Sequence, residues 1–164
     1  MSASLPCAKL LADLEGVRRF LLEKVADASS REALVIPPGF KNHLHWHLGH
    51  LLYVQSSALY IRAGDPSPIP KAYRDYFGNG TTPAGYDSLV PDWDEILGRA
   101  RDLSVSLVAK HESRCPKPLK RPLKLMNISA ATVGEAVPFL LVHEGDHLCR
   151  VKQILASLSA SATP

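Results

Sequence analysis

Apolar residues recur at spacings of three and four along four segments of this chain, and no segment shows sustained strand alternation. The pattern predicts helices over 4–28, 41–63, 92–113 and 132–158. Long connections rich in proline and glycine precede the third and fourth helices. The arrangement predicts an all-α fold, a four-helix bundle.

Local signals support two of the helix starts. Ser4 is a suitable N-cap, with Pro6 in the first turn, where a missing amide proton costs little. Thr132 and Glu135 match a capping box at the start of the last helix. Pro138 lies inside that helix and is expected to bend it.

The connection between the second and third helices is unusually long, and loops of this length are often functional. We expect its aromatic residues, Tyr73, Tyr76 and Phe77, to anchor it on the bundle. The connection before the last helix is basic and interrupted by prolines, and we interpret it as a solvated loop.

Length and composition narrow the class of protein. The 164 residues correspond to one domain over 1–164, and 46% hydrophobic with 21% charged residues is ordinary for a globular protein. The net charge of +3 is too small to indicate nucleic-acid binding, and no aromatic residue lies among the charges between Lys110 and Lys124. The absence of a long apolar run predicts no membrane span.

The chain has three widely spaced cysteines, Cys7, Cys115 and Cys149. An odd number at such spacing is a poor disulfide framework, so we expect free thiols in a reducing compartment. The N-terminal residues also lack the layout of a secretory signal, and together these features predict a cytoplasmic protein.

Four of the seven histidines fall within "KNHLHWHLGH", residues 41–50. A helix turns about 100° per residue, so His43, His47 and His50 form one stripe. His45 lies on the opposite side. Apolar residues continue the stripe, which therefore faces the core.

The last helix repeats this arrangement. His143 and His147 are spaced i and i+4 on a face shared with apolar residues. Inward histidines from two helices predict a divalent metal site, because neutral imidazole is a common nitrogen ligand. Three imidazoles leave a coordination position open for water or substrate, which is typical of catalytic sites.

"HEGDH" also matches the H-E-x-x-H pattern of zinc proteases. That pattern needs a third ligand, normally downstream. The residues after His147 include no His, Asp or Glu, so the third ligand must come from upstream, and we do not favour a protease.

"HLHWHLGHLLYVQ", "TVGEAVPFLLVHEGDHLCRVKQIL" and "PKAYRDYFGNGTTP" resemble segments of the DinB-like superfamily of four-helix bundles. The resemblance implies His50, His143 and His147 as metal ligands. It places His47 one turn away as an outer or alternative ligand, and His43 near the entrance. Relatives include metal-dependent transferases that use a low-molecular-weight thiol.

Two further residues are candidates for roles around the metal. Arg150 is expected to point inward, either to hold an anionic substrate group or to form a buried salt bridge. Glu144 lies at the edge of the core face, where it either orients a ligand, acts as a base or, as we favour, lies on the helix surface. Cys149 points away and is not expected to be a nucleophile.

The sequence therefore predicts a metal-dependent enzyme acting on a small molecule by thiol-dependent transfer or metal-assisted hydrolysis. Zinc, nickel and iron are the candidate metals, and a homodimer is compatible with a bundle of this kind. The alternative is a non-catalytic, stress- or damage-inducible metal-binding bundle, in which His47 is the obvious fourth ligand.

Overall fold

The computed structural model describes residues 6–125 and 128–161. Within these ranges the chain forms seven α-helices: α1 (Cys7–Val25), α2 (Ser30–Ala33), α3 (Leu44–Leu59), α4 (Tyr73–Phe77), α5 (Trp93–Ser104), α6 (Leu107–His111) and α7 (Val133–Ser161). Short 3-10 turns occupy Ile61–Ala63, Pro83–Gly85 and Glu112–Arg114. Two strands, β1 (Pro118–Leu125) and β2 (Ile128–Thr132), precede the last helix. The structure is mostly helical, as predicted, but the count of four helices is not confirmed.

Helix α3 runs through the centre of the molecule. It packs against α4, α5 and α7, and nearly all of its residues are buried, including its histidines. A helix that is buried on every side needs no polar face. The histidines of α3 are therefore held in a water-poor interior.

Helices α1 and α7 make the most extensive contact between two helices. Leu11, Leu14 and Leu21 of α1 are almost fully buried, as their spacing predicts. Arg18 lies on the same stripe and is only 1% exposed. The apolar face of α1 thus carries a buried charge.

The predicted third helix is two helices. α5 begins at an N-cap, Asp92, whose carboxylate accepts the amide proton of Glu95 at 2.8 Å. It ends before Ser106, whose φ of 62° is left-handed and cannot continue a right-handed helix.

The prediction of no strands was wrong for the segment before α7. β1 and β2 pair antiparallel, with Leu123 opposite Ala130, and the register shifts between Pro118 and Leu123. The prolines of β1 suggested a loop, but an edge strand tolerates proline because one side of its backbone needs no partner. Leu123 and Ala130 are buried while Lys120 and Lys124 are exposed.

The prediction of three free cysteines was also wrong. Cys7, at the start of α1, and Cys115, after the 3-10 turn, form a disulfide across 108 residues of sequence. Spacing along the chain could not reveal this pairing, because the bundle brings the two residues together. Only Cys149 is free, and it is exposed. The cysteines therefore no longer indicate a reducing compartment.

Helix α7 starts as predicted. The hydroxyl of Thr132 accepts the amide proton of Glu135 at 3.2 Å, and the Glu135 carboxylate accepts the amide proton of Ala131 at 2.7 Å. Pro138 lies inside this helix without ending it. The predicted N-cap Ser4 lies outside the described residues. None of the described helices is long and apolar enough to cross a membrane.

Tyr73 and Phe77 of α4 are fully buried and hold the long connection against the bundle, as predicted. α4 lies directly on α3. This placement brings the backbone of the connection to the histidines.

Candidate metal centre

His50, His143 and His147 come together between α3 and α7. One nitrogen from each ring lies within 4.8 Å of the others. His50 and His147 are buried and His143 is half-buried. The three residues are those that the sequence predicted as ligands.

The orientation of His50 is set by α4. Its Nδ1 lies 2.7 Å from the carbonyl oxygen of Phe77. A carbonyl only accepts, so Nδ1 carries the proton and the lone pair is on Nε2. A backbone carbonyl that orients a histidine in this way is a usual outer partner of a metal ligand.

Gly49 allows this contact. A Cβ atom at this position would lie 2.5 Å from the ring of Phe77. Glycine therefore lets α4 approach α3 closely enough for the Phe77 carbonyl to reach the next residue, His50. Neither Gly49 nor the Phe77 carbonyl has a signal in the sequence that indicates this role.

Trp46 holds the other side of the His50 ring. The two rings stack with centroids 4.6 Å apart and planes inclined by 11°. The indole Nε1 donates to the Thr81 hydroxyl at 3.0 Å. Trp46 therefore packs, as predicted. It also links Thr81, in the connection after α4, to His50.

Two of the donor atoms lie at the spacing that a metal site requires. Nε2 of His50 lies 3.2 Å from Nε2 of His143. Two nitrogens bound tetrahedrally at about 2.0–2.1 Å from zinc would be about 3.3 Å apart. This pair of donor atoms therefore fits a divalent ion, and all three nitrogens lie within 4.8 Å of one another.

Burial keeps these imidazoles neutral, which is the form that binds metal. Removal from water lowers the pKa of His50 and His47 to about 4. Burial also lowers the pKa of His143. Burial followed by repulsion from neighbouring histidines holds the pKa of His147 far below its usual range.

His47 touches the cluster without belonging to the group of three. Its Nδ1 lies 2.9 Å from Nδ1 of His147. The role of His47 as an outer or alternative ligand stays a prediction.

Glu144 is buried, which corrects the surface position we favoured. It is 3% exposed and forms an ion pair with Arg18 of α1, with Arg18 Nη2 donating to Oε2 at 2.7 Å. Arg18 Nη1 is buried without a hydrogen-bond partner among the described residues. The guanidinium lowers the pKa of His143, after burial itself. Asp146 opposes this effect and raises the pKa of His143 by more than Arg18 lowers it.

Cavities open on two sides of the histidines. A cavity of about 570 Å³ is lined by His47, His147 and Trp46. A second cavity of about 340 Å³ is lined by His143, Phe139 and Lys124. We call these the His147 cavity and the His143 cavity. Both give a small molecule access to the ligands.

The inward orientation predicted for Arg150 was wrong. Its side chain is 56% exposed and pairs with Asp146 one turn earlier, at 2.9 Å. Both residues line the His147 cavity. Helical angle alone missed this because a long side chain at the edge of a buried face turns outward to water.

The other two histidines of α3 are structural. His43 is the N-cap, and its Nδ1 accepts the amide proton of Trp46 at 3.1 Å. The entrance role for His43 stays a prediction. His45 is held by the carbonyl of Pro91 at 2.7 Å and by Tyr86. Its place away from the cluster agrees with the predicted helical angle.

A family model for the DinB superfamily matches residues 13–149. This range includes all three histidines of the candidate metal centre. No curated protein matched the chain.

Proposed function

This chain belongs to the DinB superfamily, and we propose that it is an enzyme whose three histidines hold a catalytic divalent ion. Zinc, nickel and iron are the candidates. The proposed reaction is transfer to or from a low-molecular-weight thiol, with metal-assisted hydrolysis as the other chemistry of the same site. The proposed substrate is a small molecule.

One observation carries this proposal: three neutral imidazoles from two helices meet with cavities beside them. Four protein ligands would close a zinc site, whereas three leave a position for a reactant. The cavities supply the space that such a reactant needs.

A bound divalent ion would lower the pKa of a thiol or water that it coordinates. The protein supplies the rest. Phe77 and Trp46 fix the plane of His50, and burial keeps the three rings unprotonated at neutral pH. Phe139 and Leu123 give the His143 cavity an apolar wall that limits water near the ligands.

The test is an activity screen with matched controls. Protein treated with a chelator and reloaded with zinc, nickel or iron is incubated with a chromogenic electrophile and a panel of thiols. We expect turnover to need both metal and thiol and to be lost in His143→Ala with the helical circular dichroism retained. Turnover without thiol would instead identify hydrolysis.

A second candidate is a non-catalytic metal-binding bundle, which the contact between His47 and His147 favours. X-ray absorption of the zinc protein distinguishes the two. Four nitrogen ligands, falling to three in His47→Ala, together with an inactive thiol panel, would support the non-catalytic bundle. An unchanged first shell in His47→Ala would support the enzyme.

A further inference from the structure

A third cavity, of about 710 Å³, lies beyond the His143 cavity and is rich in cations. It is bounded by the end of α3, the turn Ile61–Ala63, α4 with the residues before it, and β1. Four basic side chains line it: Arg62, Lys71, Arg74 and Arg121. We call it the cationic cavity.

The positive charge of the cationic cavity is not balanced internally. Its two carboxylates are Asp65 and Asp75. Asp65 is already paired with Arg114 and with Lys117, whose Nζ lies 2.5 Å away. In the part of the chain that the structure describes, no ion pair involves any of the four cations. Only Asp75 remains to oppose them.

Arg62 is held in place before any ligand binds. Its Nη1 donates to the carbonyl oxygens of Arg121 and Pro122 at 3.2 and 3.0 Å. These bonds join the turn after α3 to β1. Fixing a guanidinium in advance reduces the entropy that an incoming anion must overcome.

The cationic cavity adjoins the His143 cavity. Tyr53, Ser57 and Arg62 line both. Ser57 is seven residues after His50, which is about 10 Å along a helix axis. A molecule with one end at the histidines and a body of that length would reach the cations.

We propose that the cationic cavity binds the anionic end, a carboxylate or a phosphate, of a small molecule whose other end reaches the three-histidine centre. In the reaction proposed above, the end at the histidines is a thiol, and this part rests on the proposed function. The anion site itself depends only on the cavity and its charges.

Titration calorimetry of the full-length chain after chelator treatment tests the anion site. The probes are inorganic pyrophosphate and tricarballylate, which distinguish phosphate from carboxylate. We expect the double variant Arg74→Gln/Arg121→Gln to bind the preferred probe at least about tenfold more weakly, because charge-assisted hydrogen bonds are lost. Both residues are exposed, so the fold should persist.

The matched control is Arg19→Gln/Arg31→Gln, which removes the same charge at exposed positions elsewhere. It should bind like the wild type, as should His143→Ala. Equal binding by the cavity variant and the control, or binding of neither probe by the wild type, would overturn the anion site.

Thiols with and without anionic groups test the connection to the metal centre. On zinc-loaded protein, glutathione and coenzyme A are compared with 2-mercaptoethanol. We expect the cavity variant to weaken binding of whichever anionic thiol the wild type prefers and to leave 2-mercaptoethanol unchanged. Pyrophosphate or tricarballylate binding without any thiol binding would overturn the thiol half of this proposal and the thiol-transfer reaction proposed above, while the anion site stands.

Discussion

Single residues decide the geometry of the centre, and His50 is the clearest case. Its ring is held on one edge by the carbonyl of Phe77 and on one face by Trp46. The contact with Phe77 depends on Gly49, which has no side chain to keep Phe77 away. Gly49 touches no donor atom, and yet it controls the orientation of the His50 ring.

Gly49→Ala tests this dependence. The added methyl group would collide with the Phe77 ring and displace its carbonyl, so we expect zinc affinity to fall about 10- to 100-fold, as for other losses of an outer partner. Gly145→Ala is the matched control, because a Cβ at Gly145 would meet nothing within 4 Å. Equal zinc affinity of the two variants in a competitive chelator titration would contradict this account.

His111 illustrates a histidine whose role is structural. It is fully buried, and its Nδ1 lies 2.7 Å from Nη1 of Arg114. A guanidinium only donates, so Nδ1 must accept and stay unprotonated. Burial, with Arg114 and Lys110 adding repulsion, lowers the pKa of His111 to about 4. Protonation would break this contact.

A pH dependence of stability follows from His111. The unfolded chain binds this proton near pH 6.5 and the folded chain near pH 4. The contribution of unprotonated His111 to the free energy of unfolding is therefore complete above pH 6.5. It is lost as the pH falls towards 4, and the loss is about 2 kcal/mol at pH 5. Urea unfolding of metal-free protein at pH 7.5 and 5.0 should show a smaller loss in His111→Gln than in the wild type. An equal loss would show that His111 does not resist protonation.

At the scale of helices, α1 is joined to α7 by one buried ion pair, Arg18 with Glu144. The pair lies beside the ligand His143. Removing one partner of a buried ion pair leaves the other charge buried without a partner, which lowers the stability of the fold. The pair therefore contributes to the alignment of α1 with the helix that carries His143 and His147.

Replacing one partner of the ion pair should lower the free energy of unfolding more than replacing both partners. We expect Arg18→Met or Glu144→Leu alone to lower the free energy of unfolding by about 3–5 kcal/mol, and the double variant to recover most of it. Urea unfolding of the four proteins completes a double-mutant cycle. Additive losses would show that the two charges do not depend on each other.

Some elements could be predicted from sequence because their signals are local. Helical spacing located α1, α3 and α7, and the angle between histidines separated His45 from the ligands. The hairpin was missed because prolines in β1 hide its alternation, and Arg18 was missed although it falls on the apolar stripe of α1. The disulfide and the carbonyl of Phe77 depend on tertiary contacts, for which the chain has no local signal.

For the whole molecule, the disulfide between Cys7 and Cys115 closes most of the chain into one loop. It joins the start of α1 to the segment that leads into the hairpin and α7. In the chain-entropy account, a cross-link over about 100 residues stabilises a fold by about 4–5 kcal/mol, chiefly by restricting the unfolded state.

Removal of the disulfide should therefore weaken the whole fold. We expect Cys7→Ser/Cys115→Ser to lower the free energy of unfolding by several kcal/mol, within the usual range of about 2–5 kcal/mol. Cys149→Ser, at an exposed free thiol, should change it little. A reductant that leaves the urea midpoint of the wild type unchanged would contradict a stabilising cross-link.

Metal content tests the central claim most directly. Wild type, His50→Ala, His143→Ala, His147→Ala and the control His111→Gln are loaded with zinc, desalted and measured by inductively coupled plasma mass spectrometry, with folding checked by circular dichroism. The account predicts one ion per chain in the wild type and the control, and loss of the ion in each folded ligand variant. A wild type without metal, or full retention in His143→Ala, would contradict it.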